Sequence, residues 1–295
     1  MTGRKHIQRI LLVLDKPNRP QTALKRALRV FHDARHAVSL EPVSFLHSNI
    51  ADSGLAFDPK ERSAIKKTLI QQRKEWVRDL QVQHCELKPI RVLWEHDLAG
   101  WIQNNSDQFD LVIKTAGGSR GVRSASDWAL LNSCPTDLLL VGHRKVRQPR
   151  CILVALDLDH SDRVHSQLNK TALERGTQMA ELSEAELHTA SAVEVSPALV
   201  DLDIVNERSA VRRVAARTKD VLDKMLAPYK IPKSQRHFPV GRIGQAMADC
   251  AKAVKADLLV VGTRARPIAQ TLGLGNSAQR ILRKAPCDIL AVRPS

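Results

Sequence analysis

The chain has 295 residues, enough for two domains of ordinary size. It is 43% hydrophobic and 26% charged, which excludes disordered, collagen-like and coiled-coil classes. It carries 46 basic against 31 acidic residues, for a net charge of +15. The excess is 24 basic against 15 acidic residues up to Pro149, and 22 against 16 beyond it, so it is not a basic tail. Such a field attracts polyanions: nucleic acid, anionic membrane surfaces or nucleotides. General basicity is the simpler reading, because aromatic content is 3% and no basic-aromatic motif appears.

No apolar run approaches the ~18–20 residues of a membrane span. The Ile7–Leu14 stretch ends on Asp15, too short for a signal peptide, and no small-residue cleavage site follows. A cytoplasmic location is the expectation. Cys85, Cys134, Cys151, Cys250 and Cys287 are scattered and form no Cys-x-x-Cys pair. They read as buried, reduced thiols rather than as disulfides or zinc ligands.

In chain order, an apolar run over Ile10–Leu14 predicts a buried strand that ends at Asp15. A helix is expected over about Pro20–His36, with Pro20 suited to its first position. A longer one runs from about Pro59 to Val82, with Ile65, Leu69, Trp76, Val77 and Leu80 at helical spacing. Val92-Leu-Trp94 reads as a third strand, with Trp94 lining the cleft beyond it. A strand over Leu111–Ile113 precedes a glycine-bearing loop with Gly117, Gly118 and Gly121. The helix that follows is capped by Ser126 or Asp127 and packs Trp128 into the core. A strand over Leu138–Val141 closes this half.

After the polar, basic stretch ending at Pro149, the pattern starts again. Strands are expected over Ile152–Leu156, up to Ala192, over Leu258–Val261 and over Ile289–Val292. Helices are expected over about Glu207–Leu226, with Val211, Val214, Ala215, Val221, Leu222 and Met225 on the apolar face, and over about Gly244–Val254. A last helix opens at Gly275-Asn-Ser-Ala.

The two halves are copies of one unit. Arg9-Ile-Leu-Leu-Val-Leu-Asp15 matches Cys151-Ile-Leu-Val-Ala-Leu-Asp157 at an offset of 142. Asp110 and Asp257 are 147 apart, and Pro135 and Pro286 are 151 apart. An offset that grows in one direction marks diverged copies with small insertions. The expected organisation is a first domain over 1–143, a linker over 144–149 and a second domain over 150–295. Alternating strands and helices imply a parallel sheet covered on both faces, with ligands at the carboxyl ends of the strands.

The segment Val260–Val292 carries the strongest motif. A strand ends at Gly262, and Gly275-Asn276-Ser277 opens a helix. Glycine lets backbone amides approach a phosphate, and a helix start attracts anions. The segment is either a phosphate cradle or only a tight strand–loop–helix connection. Arg264 and Arg266 stand near as phosphate partners.

Here the chain resembles the universal stress protein family. Its nucleotide-binding members carry Gly-x-x-Gly, nine residues, then Gly-[Ser/Thr]. The matching positions are Gly262, Ala265, Gly275 and Asn276, with Ser277 next, so two of the four residues depart. Ala285-Pro-Cys-Asp-Ile-Leu-Ala-Val-Arg293 looks like the family's closing strand, and Asp157 holds its acidic position after the first strand. The resemblance covers both copies and is to the tandem, two-domain type. It implies two α/β units, each a five-stranded parallel sheet with flanking helices. These would pack through their last strands into a pseudo-dimer within one chain, with further association left open. It also implies that ATP would be taken by the second domain. Asp157 would hold the nucleoside and Ala192 would face the base. Gly262, Arg264, Ala265, Gly275, Asn276 and Ser277 would surround the phosphates. The first domain lacks the spacing and is expected to bind no nucleotide.

No catalytic machinery is legible. His47, His84, His96, His143, His160, His165, His188 and His237 form no motif with Asp or Glu at metal-ligand spacing. Asp157 and Asp159 would suit Mg²⁺ beside a triphosphate, or serve as a strand-end aspartate and a solvated loop charge. Without a second metal signature the latter stands, so neither a metal nor a catalytic residue is expected. The function expected is a non-catalytic stress-response protein, with a protein partner the sequence does not identify. Two alternatives are an electrostatic polyanion binder, with Arg264, Arg266, Arg280, Arg283 and Lys284 on one face, and a degenerate cleft for an apolar ligand.

Overall fold

A computed structural model describes residues 6–31, 33–34, 37–48, 57–117, 124–142, 147–160, 162–194, 206–264 and 277–294. In the first half, β1 (Arg9–Val13), β2 (Ser39–Leu46), β3 (Arg91–Trp94), β4 (Leu111–Thr115) and β5 (Asp137–Val141) form the sheet. They alternate with α1 (Thr22–Val30), α2 (Pro59–Gln83), α3 (Leu98–Asn105) and α4 (Ala125–Ser133). The second half has β6 (Cys151–Ala155), α5 (Arg163–Ser183), β7 (Glu186–Ala190), α6 (Glu207–Leu226) and β8 (Arg236–His237). It continues with α7 (Ile243–Ala253), β9 (Leu258–Gly262), α8 (Ser277–Lys284) and β10 (Asp288–Val292).

The strand order is β3-β2-β1-β4-β5-β10-β9-β6-β7-β8. Every pairing is parallel except one: β10 runs antiparallel to β5, with Leu290 opposite Leu139. Two five-stranded parallel sheets therefore join through their last strands into one ten-stranded sheet, as expected for the pseudo-dimer. The apolar runs explain this. Along β1, Ile10 and Leu12 enter one core cluster and Leu11 and Val13 the other, so this central strand is buried on both faces.

Local chemistry sets several boundaries. Asp58 caps α2 in a capping box with Glu61, and Pro59 takes the first helical position. Pro20 does not do the same for α1. Its N-cap is Gln21, and the helix stops at Val30, well short of His36. The α4 cap is Ser124, not Ser126 or Asp127. Asp127 is the third residue of that helix and accepts from the Ser124 backbone N–H at 3.1 Å. Trp128 is half-buried, with the Arg283 guanidinium 5.4 Å above its ring. On α6, Leu222 is buried, but Val221 faces solvent. Cys134, Cys151 and Cys287 are buried and Cys250 is partly so, whereas Cys85 is exposed. Burial pushes the Cys151 and Cys250 thiols up to about 11.

Candidate functional site

The β6, β7 and β9 strands end side by side, and a cleft of about 510 Å³ opens beyond their carboxyl ends. Asp157, Ala192, Gly262, Arg264 and Ser277 all line it. Ala265, Gly275, Asn276 and Arg266 lie outside the described residues. The helix read as opening at Gly275 begins, within the described residues, at Ser277.

Asp157 leaves β6 on a pinned loop. Its N–H donates to Asn169 Oδ1 at 2.9 Å, and Asn169 Nδ2 donates back to the Asp157 carbonyl at 2.7 Å. Its carboxylate accepts the N–H groups of Asp159 and His160 at 3.1 and 3.2 Å. It also meets Nδ1 of His160 at 2.9 Å. That hydrogen bond, more than the charge behind it, raises the His160 pKa above its ordinary value. Asp159 points to solvent and pairs at 3.6 Å with Arg217.

Gly262 packs closely under α5. A Cβ there would stand 3.1 Å from Leu168 Cβ, on the helix that covers β9. Gly241 takes φ +123°, which lets the chain turn from the Val193–Val240 bridge into α7. On the far side of the cleft, Arg280 of α8 pairs with Glu194 at 3.2 Å.

Sequence reasoning set His160 and His165 aside as forming no ligand motif and did not single out Glu194, yet all three line the cleft. Asp162 caps α5 by accepting from the Val164 and His165 N–H groups at 2.9 and 3.0 Å, and its carboxylate also meets Nδ1 of His165. The backbone bond from His165, then its ring, hold the Asp162 carboxyl down at about 2. The His160 and His165 rings stack with centroids 4.6 Å apart. Asp157, His160 and His165 thus form a cluster whose ligating atoms lie within 4.8 Å of one another. The spacing Asp-x2-His-x4-His was its only signal, and the strand-to-helix turn that folds it together is not visible in it.

In the first half the strand-end aspartate is tied into the fold. Asp15 Oδ2 accepts from the Thr22 N–H at 3.0 Å and from Thr115 Oγ1 at 2.7 Å. Thr115 ends β4 where Gly262 ends β9, so the position that is glycine in the second half carries, in the first, a hydroxyl bonded to Asp15. Lys114 Nζ donates to buried Asp127 at 2.7 Å, so that cation is also engaged inside the fold. Gly118, Gly121, Arg120 and Arg123 lie outside the described residues. Trp94 is half-buried and sits under Lys66 Nζ at 4.9 Å and beside His47.

Residues 150–293 match the model of the universal stress protein family. The chain is also 24% identical over 301 residues to the universal stress protein E homolog of Haemophilus influenzae, covering 97% of each chain. It is 23% identical over 308 residues to universal stress protein E of Escherichia coli K12, covering 97% of this chain and 94% of the relative. The second half of the chain thus carries the universal stress protein domain, and along its whole length the chain is similar to universal stress protein E. Solved structures share its two-unit fold. A functionally unknown protein from Pseudomonas aeruginosa PAO1 superposes with a TM-score of 0.67 at 22% identity, over 98% of this chain and 93% of the other. A universal stress protein from Archaeoglobus fulgidus does so with a TM-score of 0.63 at 15% identity, over 97% and 96%. The second-half cleft brings Asp157, Gly262, Arg264 and Ser277 together, whereas in the first half Thr115 donates to the strand-end Asp15. Among the described residues, no helix is long and apolar enough to cross a membrane.

Proposed function

We propose that the chain is a non-catalytic, cytoplasmic stress-response protein whose second unit, over 150–295, binds an adenine nucleotide and whose first unit, over 1–143, is structural. The observation that carries this reading is convergence. Five of the eight residues assigned to a nucleotide from sequence line one cleft at the carboxyl edge of the sheet. The cleft is of the size and mixed character that small-molecule sites have, roughly 300–1,000 Å³. Asp157 would accept from the nucleoside, the open wall at Ala192 would admit the base, and Arg264 and Ser277 would meet the phosphates. Thr115 and Asp15 support a structural role for the first unit, since they satisfy each other.

The basic surface favours no second reading. Arg280 is paired with Glu194, Arg283 lies over Trp128, and Arg264 faces the cleft. Calorimetric titration with ATP tests the proposal in wild type, Gly275→Val and Ala192→Phe. One-site binding that both substitutions weaken at least tenfold is the expected result. No binding at millimolar ATP would sink it.

A further inference from the structure

We infer that Asp157, His160 and His165 form a binding site for a divalent transition-metal ion of the zinc class, at the mouth of the second-half cleft and independent of any nucleotide. Among the described residues, no other group of three or more His, Cys, Asp or Glu side chains gathers closely enough to hold an ion. Two imidazoles and one carboxylate suit Zn²⁺ rather than Mg²⁺, which prefers oxygen ligands and its own water.

The distances are close to those needed. Ligand atoms about 2.0–2.1 Å from a tetrahedral ion lie about 3.4 Å apart. His160 Nδ1 is 2.9 Å and His165 Nε2 is 3.9 Å from Asp157 Oδ2. Small rotations of two partly exposed rings bring all three onto one ion. Metal then replaces the proton shared by His160 Nδ1 and Asp157, which is released to solvent.

The supporting shell is already built. The Asp162 carboxylate holds Nδ1–H of His165, which leaves the Nε2 lone pair aimed at Asp157. A carboxylate behind a ligating histidine is the usual device for fixing tautomer and ring direction. Stacking of the rings and the Asn169 clamp on Asp157 restrict the other two ligands. The fourth position faces the cleft, so water or an anionic ligand completes the shell. One residue opposes the ion: Arg264 Nη2 sits 3.3 Å from His165 Nε2 and must swing away when metal enters.

The test titrates the full-length, nucleotide-free protein with Zn²⁺, using a competing chelator dye, and repeats the titration with Mg²⁺. One equivalent of Zn²⁺ should bind, with Mg²⁺ at least a hundredfold weaker. His160→Ala and His165→Ala should each weaken zinc at least tenfold, Asp162→Asn by about tenfold, and Arg264→Ala should tighten it. His237→Ala, which breaks the separate His188–His237 pair, should change nothing. The Co²⁺-loaded protein should show tetrahedral bands without a thiolate charge-transfer band, which excludes the cysteines. Circular dichroism of each variant checks that the fold is kept. Zinc binding unaffected by both histidine variants, or a thiolate band, or zinc no tighter than Mg²⁺ would overturn the site. Loss of ATP binding alone would leave it standing, because the readout uses metal only.

Discussion

Arg175, on α5 of the second half, donates from Nε to Asp137, on β5 of the first half, at 2.7 Å, and the two side chains are 5% and 0% exposed. The relation is repeated with the halves exchanged: Arg26 of α1 forms an ion pair at 2.8 Å with Asp288 of β10. Each aspartate also accepts a backbone N–H from the opposite half, Arg293 to Asp137 at 3.0 Å and Gly142 to Asp288 at 2.9 Å. The antiparallel β5–β10 seam is thus locked by two buried ion pairs related by the molecule's pseudo-twofold axis. Burial pushes the Asp288 carboxyl above its ordinary range, and Arg26 pulls against that rise.

Arg175→Ala should destabilise the protein by about 3–5 kcal/mol in denaturant unfolding, because it takes the guanidinium away from the buried Asp137 carboxylate. The double variant Arg175→Met with Asp137→Leu should recover most of that loss, since it removes both charges together. A double variant no more stable than Arg175→Ala would show that the seam depends on the backbone bonds instead.

The two strand-end aspartates should behave oppositely. Asp15→Ala leaves the Thr115 hydroxyl without its acceptor, while the Thr22 N–H keeps the Pro20 carbonyl at 2.7 Å, and should cost about 1–3 kcal/mol. Asp157→Ala opens onto the cleft, where water replaces the carboxylate, and should cost less. Paired thermal melts compare them, and equal losses would contradict a structural Asp15 beside a cleft-facing Asp157.

His188 and His237 stack with centroids 5.2 Å apart, with Nδ1 of one 2.9 Å from Nε2 of the other. Burial first, then the neighbouring His188, lowers the pKa of His237 below 6.5. The folded state therefore resists protonation that the unfolded chain accepts. The contribution to stability is full above the unfolded pKa and is lost as pH falls through the lowered folded value. Melting temperature should drop between pH 7 and pH 5, and His237→Phe should flatten that drop. An unchanged slope in the variant would assign the acid sensitivity elsewhere.

Gly244, at the start of α7, touches α8: a Cβ there would stand 2.5 Å from the Arg280 carbonyl oxygen. Gly244→Ala should push α8 outward, cost about 1–3 kcal/mol and move Ser277 and Arg280 at the cleft. Chemical denaturation measures the first effect and ligand titration the second. Stability equal to wild type would mean that α8 shifts freely.

The apolar runs of β1, β4, β5, β6, β9 and β10 were legible in the sequence because a parallel strand buried on both faces needs an unbroken apolar stretch. The repeat of Asp15 with Asp157, and of the Pro-x-Asp segments before β5 and β10, showed that the chain holds two copies. The family motif drew attention to Asp157, Gly262 and Ser277 for the same reason: backbone approach and strand-end placement constrain residue type locally. The α5 helix was missed, and with it the place of His165: no helix is expected over 163–183, where polar residues surround the few apolar ones. Only the tertiary structure closed Asp157, His160 and His165 into one cluster, set Thr115 against Asp15, and carried Arg175 and Arg26 across the seam to Asp137 and Asp288. Those relations join residues separated by a turn, a strand crossover or half the chain. They depend on the direction in which packed side chains point, and one-dimensional spacing carries no record of that direction.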